Sequence, residues 1–186
     1  MSETSETIFT KLTALLDTPE PAELGPGPRK GVLQEAALNR DLDKLFSSTD
    51  LPKERQQLIR ALLLLWHDHF EPSHSISQSI ENADGAFVHG ILHRREPDYS
   101  NAAYWFRRVG KHAVFSKLAD RAKALVDKAG QSQLIQTLIR GGQWDPFGLI
   151  DACQQANRRG VLESETRLLR QIQQIETRLL LGYFCS

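Results

Sequence analysis

The residues best suited to chemistry in this chain are its histidines, which are concentrated in one stretch. All six lie between residues 67 and 112 of a 186-residue sequence, at positions His67, His69, His74, His89, His93 and His112. Histidine changes its charge near neutral pH, and its neutral ring is the commonest metal ligand in proteins. We therefore expect a metal site or an acid–base site in this stretch.

The spacing of two of these histidines favours a metal. His89 and His93 are four residues apart, so on a helix they lie one turn above each other, with Cβ atoms about 6 Å apart. Helical histidine pairs bind one metal ion at this spacing, although the glutamate of the HExxH motif is replaced here by Gly90. His74 and Glu71 precede the pair and could complete the ligand set. These four residues are the predicted ligands, with iron, zinc or manganese as the candidate ions.

Two further residues are candidates for acid–base work if the site is catalytic. Glu96 lies one turn beyond the histidine pair, and His67 lies at the end of an apolar helical segment. His67, Glu71 and His74 would share one helical stripe if the helix continued through Pro72. The expected reaction class is metal-assisted hydrolysis or oxidation.

A second group of residues, polar, charged and aromatic, could bind a small polar molecule. It comprises Arg94, Asp98, Asn101, Tyr104, Trp105, Arg107, Arg108 and His112. Its two arginine doublets could clamp a carboxylate or phosphate with paired hydrogen bonds, beside an aromatic wall. The same arginines could instead complement helix dipoles or form internal ion pairs with Glu96 or Asp98.

Two other interpretations of the histidines stay open. They could form a polar pocket without a metal, or a structural hydrogen-bond network without any ligand. In the second case the protein is a non-catalytic interaction module. The apolar terminal segment, residues 179–184, would then be its contact surface, with a homodimer as one form of that contact.

Composition argues against several classes of function. Basic and acidic residues both number 23, and this neutral balance argues against nucleic-acid or anionic-membrane binding. The longest apolar run, residues 61–66, is too short to span a bilayer. Cys153 and Cys185 are the only cysteines, which excludes a disulfide framework or a zinc ribbon. With a polar, acidic N-terminus unlike a signal peptide, we expect a cytoplasmic protein that binds a metal ion or small polar molecule.

Helical periodicity runs through nearly all of the chain, and strand alternation is almost missing. This pattern predicts an all-α protein, a single compact domain of about eight or nine helices in a bundle-like or orthogonal array. Residues 1–28 are expected to form a first helix and a proline- and glycine-rich linker, followed by a helical core over residues 29–186. Residues 53–70 are predicted to be the central helix because their second half is apolar on nearly every side, with Pro72 kinking or ending it.

The helix predicted to carry the histidine pair covers about residues 84–95 and stops at Pro97. Gly90 in its interior costs about 1 kcal/mol relative to alanine, which indicates a closely packed neighbour. Asp98 or Ser100 is expected to cap the next helix.

Two dipeptides mark boundaries further along the chain. Gly141-Gly142 is expected to close a helix. Asp145-Pro146 is expected to start the next one, because an N-cap residue followed by proline is a common helix start.

The histidine region as a whole also has a recognisable pattern. It reads HGxxHRxExDxxNAxYWxRRxGxH from His89 to His112, with His67-Asp68 and Ser73-His74 upstream. This pattern resembles a segment shared by a family of uncharacterised small helical proteins of bacteria and fungi. The resemblance covers about residues 60–116, roughly a third of the chain. It implies no particular activity, cofactor or ligand, so no functional role comes from it.

Overall fold

In this computed structural model, which describes residues 4–159 and 163–186, the regular secondary structure is almost entirely α-helical. The described residues form ten helices: α1 (Ser5–Ala14), α2 (Glu35–Phe46), α3 (Lys53–Trp66), α4 (Phe70–Gln78), α5 (Ala83–Arg95), α6 (Tyr99–Val109), α7 (Val114–Lys128), α8 (Ser132–Leu138), α9 (Pro146–Arg159) and α10 (Glu163–Phe184). None of them combines the length and the apolar character needed to cross a membrane. The predicted all-α fold is confirmed, with ten described helices where eight or nine were expected.

The two helices α3 and α5 form the centre of the molecule. From Leu58 to Trp66, every residue of α3 except Arg60 is buried, and so is every residue of α5 from Gly85 to Arg95. A helix buried on all sides has to be surrounded by other helices. Helices α4, α6 and α10 provide these surroundings, and α10 also packs against α7.

The helix expected to continue to residue 70 instead ends at Trp66. Asp68 has a positive φ of 66°, a conformation that cannot continue a right-handed helix. The chain turns there and α4 begins at Phe70. Pro72 therefore lies in the first turn of α4, where its missing N–H costs no helical hydrogen bond. The prediction that Pro72 kinks or ends the preceding helix is wrong.

Helix α5 packs closely against α6 at Gly90. A Cβ atom on Gly90 would lie 2.9 Å from two carbon atoms of the Phe106 ring. The predicted close neighbour is therefore present, and it is an aromatic ring. Helix α6 is capped by Asp98, whose Oδ1 accepts a hydrogen bond from the Asn101 N–H at 3.2 Å, as expected for an N-cap.

Residues 139–144 form a short hairpin. Its strands are β1 (Ile139–Arg140) and β2 (Gln143–Trp144), which pair antiparallel. Gly141 and Gly142 have φ of 57° and 78°, the left-handed conformation that both central residues of a tight hairpin turn require. These glycines were expected to close a helix, but they form this turn because α8 already ends at Leu138.

The predicted start of α9 is present directly after the hairpin. The Asp145 carboxylate accepts a hydrogen bond from the Phe147 N–H at 3.0 Å, and Pro146 is the first helical residue. Both residue types play the parts expected of them at a helix N-terminus.

The proline-rich segment between α1 and α2 is packed onto the core. Residues 17–34 contain no helix, in line with their proline and glycine content. Ala22 and Leu24 are nevertheless buried, and the Gln173 amide of α10 donates to the carbonyls of Ala22 and Glu23 at 3.3 and 3.1 Å. Buried side chains and backbone hydrogen bonds thus fix this segment in place.

Candidate metal centre

Helices α4 and α5 bring three of the predicted metal ligands together. His74 of α4 and the pair His89 and His93 of α5 each offer one ring nitrogen, and these three nitrogens lie within 4.8 Å of one another. The pair meets because residues four apart share a helix face. The third histidine joins them because the turn at Asp68 redirects the chain so that α4 packs against α5. These three residues are called the histidine cluster below.

The rings of the histidine cluster are held by packing. His89 stacks on His93 with 4.7 Å between ring centroids, and the His74 ring meets His89 edge-on at 4.6 Å. On its other side His89 stacks on the Trp105 indole at 4.0 Å. His89 and His93 are 1% and 6% exposed, whereas His74 is half-buried. The cluster is therefore open to solvent mainly on the side of α4.

One buried nitrogen of the cluster has no hydrogen-bond partner. His89 Nδ1 is buried and has no hydrogen-bond partner, which is uncommon and costly for a buried polar atom. His93 Nδ1 lies 3.1 Å from Glu96 Oε2, and His93 Nε2 lies 3.1 Å from Asn101 Nδ2. When Nδ1–H donates to Glu96, Nε2 keeps its lone pair, which is the tautomer that binds a metal.

The environment also favours the neutral form of two rings of the cluster, His89 and His93. Burial is the main cause that lowers the pKa of His89 to about 3, and the neighbouring rings of His93 and His74 contribute in the same direction. Burial lowers the pKa of His93 as well, against the opposing charge of Glu96. Neutral imidazole is the form that coordinates metal ions, so these rings need not lose a proton to bind one near pH 7.

The histidine cluster lies in a cleft of about 420 Å³. The cleft is lined by His74, Gln78, Ile80, Glu81, His89, His93, Asn101, Tyr104, Trp105 and Arg108. It thus contains half of the predicted ligand-binding group: Asn101, Tyr104, Trp105 and Arg108. Gln78 follows His74 by one helical turn, so the spacing in the sequence is enough to place both on one helix face. Glu81 lies in the connection between α4 and α5, where no periodic pattern could have pointed to it.

Arg94, predicted to bind a ligand, is instead part of the core. It is fully buried on α5, and its guanidinium pairs with the Glu176 carboxylate of α10, with Nη1 and Oε1 3.2 Å apart. The expected alternative, an internal ion pair, is therefore what forms. The carboxylate that pairs with Arg94 does not come from Glu96 or Asp98, the two candidates from the sequence. It comes from a residue 82 positions further along the chain, which no helical spacing could have indicated.

Three other predicted ligand-binding residues do not line the cleft. Asp98 caps α6, and Arg107 is exposed on the same helix. The His112 Nε2 atom lies 2.9 Å from Asp84 Oδ1, while its Nδ1 accepts from the Val114 N–H at 3.2 Å. All three side chains therefore lie outside the cleft that contains the histidine cluster.

The structure separates Glu71 and His67 from the cluster, and it places Glu96 against one of the cluster's rings. Glu71 is exposed in the first turn of α4 and is not among the grouped ligands. Glu96 touches the cluster only through His93. His67 is 1% exposed, and both of its nitrogens bond to the backbone, Nδ1 with Leu33 N at 3.1 Å and Nε2 with Leu15 O at 2.9 Å. His67 is therefore placed to hold the N-terminal segment, away from the cleft.

The fold and the site together define an all-α protein with a three-histidine cluster in an open cleft. Comparison with protein-family models, with curated proteins and with solved structures finds no match for this chain. The resemblance to a family of helical proteins from bacteria and fungi stays a prediction. Function has to be inferred from the geometry of the site.

Proposed function

We propose that this protein binds a divalent transition-metal ion through His74, His89 and His93, and that a small polar molecule reaches the metal through the cleft. The supporting observation is the convergence of three ring nitrogens within 4.8 Å, together with a buried His89 nitrogen that has no partner. A metal ion would give the His89 ring a partner, directly at this nitrogen or after a flip of the ring.

The composition of the cluster favours zinc or iron. Its three ligands are imidazoles, and Glu71, the predicted carboxylate ligand, lies outside the group. Imidazole suits zinc, copper, iron and nickel, whereas carboxylates suit manganese and magnesium. Nitrogen ligands of a tetrahedral zinc ion are about 3.3 Å apart, given zinc–nitrogen distances of about 2.0 Å. The three nitrogens, which lie within 4.8 Å of one another, would have to move closer together to reach that separation, and His74 is the least buried of the three rings.

The open cleft favours a catalytic metal over a structural one. Structural zinc sites have four protein ligands, whereas catalytic sites have three and keep a position for water or substrate. Such a metal lowers the pKa of its bound water to about 7. Metal-assisted hydrolysis is then the simplest reaction class. The water oxygen bonds to a carbonyl or phosphoryl centre, the bond from that centre to the leaving group breaks, and the leaving group takes one proton of the water.

The first test is the metal content of the protein purified without chelator and dialysed after exposure to zinc or iron(II). Elemental mass spectrometry should find about one ion per chain. His74→Ala should lose the ion on dialysis while its circular dichroism spectrum stays helical, because this ring is half-buried. His69→Gln is the matched control, since His69 bonds to the Leu33 carbonyl outside the cluster, and it should keep the metal.

Each other result has a defined meaning. Iron in place of zinc would keep the metal site and move the reaction class to oxidation. A parent protein that takes up neither ion would contradict the proposal. The histidine cluster would then be a structural network, as expected for the alternative function of a protein-interaction module.

A further inference from the structure

Arg108 is the cationic side chain of the cleft. Of the described residues that line the cleft, it alone carries a fixed positive charge. Its Nη1 donates to the Tyr104 hydroxyl at 3.3 Å, and its guanidinium lies 5.1 Å from the ring centroid of Trp105. No carboxylate of the described residues forms an ion pair with it. Arg108 is exposed, and its guanidinium lies against aromatic rings with several N–H donors left for a ligand.

The charge balance of the cleft favours an anionic ligand. Glu81 lines the cleft and offsets the charge of Arg108, while the Glu96 carboxylate faces His93. Histidine binds a metal ion as the neutral ring, so a divalent metal held by the histidine cluster would make the cleft positive overall. A positive cleft attracts and orients small anions.

We propose, building on the metal site above, that the cleft binds a small organic oxyanion, a carboxylate or a phosphate. Its charged oxygens lie between the metal and Arg108, and its apolar part lies against Trp105 and Tyr104. A guanidinium recognises either oxyanion through two parallel hydrogen bonds. The cleft volume of about 420 Å³ falls within the range of small-molecule sites, about 300–1,000 Å³.

The aromatic residues at the rim support an organic ligand over a bare inorganic ion. Tyr104 is 46% exposed, which makes it one of the few large side chains with an aromatic face left open to solvent. Trp105 is half-buried and contacts both the His89 ring and the Arg108 guanidinium. Rings at the edge of a polar cleft provide apolar contact area at low entropic cost, which an inorganic anion would not use.

The test is calorimetric titration of metal-loaded protein with benzoate, phenyl phosphate and inorganic phosphate. Arg108→Gln should weaken binding of the organic probes by about tenfold or more, the loss expected for a charge-assisted bidentate contact. Arg107→Gln is the matched control, because Arg107 is the adjacent residue, exposed and outside the cleft. It should bind as the parent does. Tighter binding of benzoate would indicate a carboxylate ligand, and tighter binding of phenyl phosphate would indicate a phosphate ligand.

Metal content is measured in every variant before any anion is added, so the two proposals fail separately. A protein without metal overturns the proposed function and this inference with it. A metal-loaded protein contradicts the inference alone in three cases. In the first, none of the probes binds at about 10 mM. In the second, Arg108→Gln and Arg107→Gln lose equal amounts of affinity for the organic probes. In the third, inorganic phosphate binds as tightly as phenyl phosphate.

Discussion

His93 is held from two sides, and this arrangement decides how it can bind a metal. Glu96 Oε2 lies 3.1 Å from Nδ1, and Asn101 Nδ2 lies 3.1 Å from Nε2. A neutral imidazole carries one ring proton, so Nδ1–H facing the carboxylate leaves Nε2 as the acceptor. A metal at Nε2 would displace the Asn101 amide, which also lines the cleft and could then donate to a bound ligand. Glu96 is therefore a positioning residue for His93.

Removing this carboxylate should weaken metal binding without unfolding the protein. Glu96→Ala should lower the affinity for zinc about 10- to 100-fold, the usual effect of losing a carboxylate that orients a histidine ligand. Glu96→Gln, which still accepts a hydrogen bond, should restore part of the loss. The affinity is measured by competition with a chromophoric chelator.

Glu71→Ala provides the comparison, because Glu71 was predicted to be a ligand and is exposed outside the cluster. Its zinc affinity should equal that of the parent. The free energy of unfolding of Glu96→Ala should stay within about 0.5 kcal/mol of the parent, as for most surface substitutions. If Glu96→Ala bound zinc as tightly as the parent, the orienting role would be refuted.

The sequence could predict only part of the candidate site. The pairing of His89 with His93 is a local property of one helix, so their spacing was enough to predict it. His67 lies outside the cluster because the chain turns at Asp68, which has a positive φ. A positive φ is uncommon for residues other than glycine, so an aspartate in the sequence does not predict it. The long-range partner of Arg94 was equally inaccessible, because only the packing of α5 on α10 brings it there.

At the scale of the elements, the packing of α5 against α6 sets the geometry of the site. Helix α5 carries two of the clustered histidines, and α6 carries Asn101, Trp105 and Arg108. The distance between the two helices is limited by Gly90, whose missing side chain leaves room for the ring of Phe106. A larger residue at this point would separate the two walls of the cleft.

Gly90→Ala tests this packing. Alanine is favoured over glycine in a helix by about 1 kcal/mol, but its Cβ would lie 2.9 Å from a ring that is only 1% exposed. Overpacking of this kind costs about 1–3 kcal/mol. We expect a net loss of about 1 kcal/mol in the free energy of unfolding, measured with urea, and weaker metal binding because His89 flanks the substituted position.

The same substitution in a Phe106→Leu background is the control. The shorter side chain relieves the contact, so alanine at position 90 should there stabilise the protein relative to glycine. Equal effects of Gly90→Ala in both backgrounds would show that the ring does not limit the approach of the helices.

Helices were predictable as elements, but their ends were predictable only where a side chain or a proline marks them. Asp98 and Asp145 gave the starts of α6 and α9 correctly, because an N-cap is a local hydrogen bond. The end of α3 and the hairpin at Gly141-Gly142 were missed. In both places a positive φ changes the direction of the chain. Hydrophobic periodicity gives the type of an element but does not predict such a backbone conformation.

At the scale of the whole molecule, one turn ties the N-terminal segment to the site. The residues between α3 and α4 are His67, Asp68 and His69, and each of them bonds to the segment between α1 and α2. His67 bonds to the backbone of Leu15 and Leu33, and His69 to the Leu33 carbonyl. Asp68 accepts from the Arg29 N–H at 3.0 Å and pairs with Arg95 at 2.7 Å. The turn that directs α4 toward α5 is therefore also the anchor of the proline-rich segment.

This anchor should make the free energy of unfolding depend on pH in the acid range. Burial lowers the pKa of His67 from 6.5 to about 4, and Nδ1 is occupied as the acceptor for the Leu33 N–H. Below pH 6.5 the unfolded chain takes up a proton that the folded chain excludes. Stability therefore falls with falling pH until the folded ring also titrates near pH 4. The loss due to His67 is about 3 kcal/mol over the whole range.

Urea unfolding of the parent and of His67→Gln, each at about pH 7.5 and about pH 4.5, isolates this contribution. Glutamine can still donate and accept hydrogen bonds but does not titrate, so the drop in stability should be smaller in the variant by about 2–3 kcal/mol. Because His67 holds the N-terminal segment, limited proteolysis at the acid pH should cut the parent within residues 17–34 more readily than at neutral pH. The same drop in both proteins would mean that other groups cause the acid sensitivity, and that the anchor at His67 does not depend on its neutral ring.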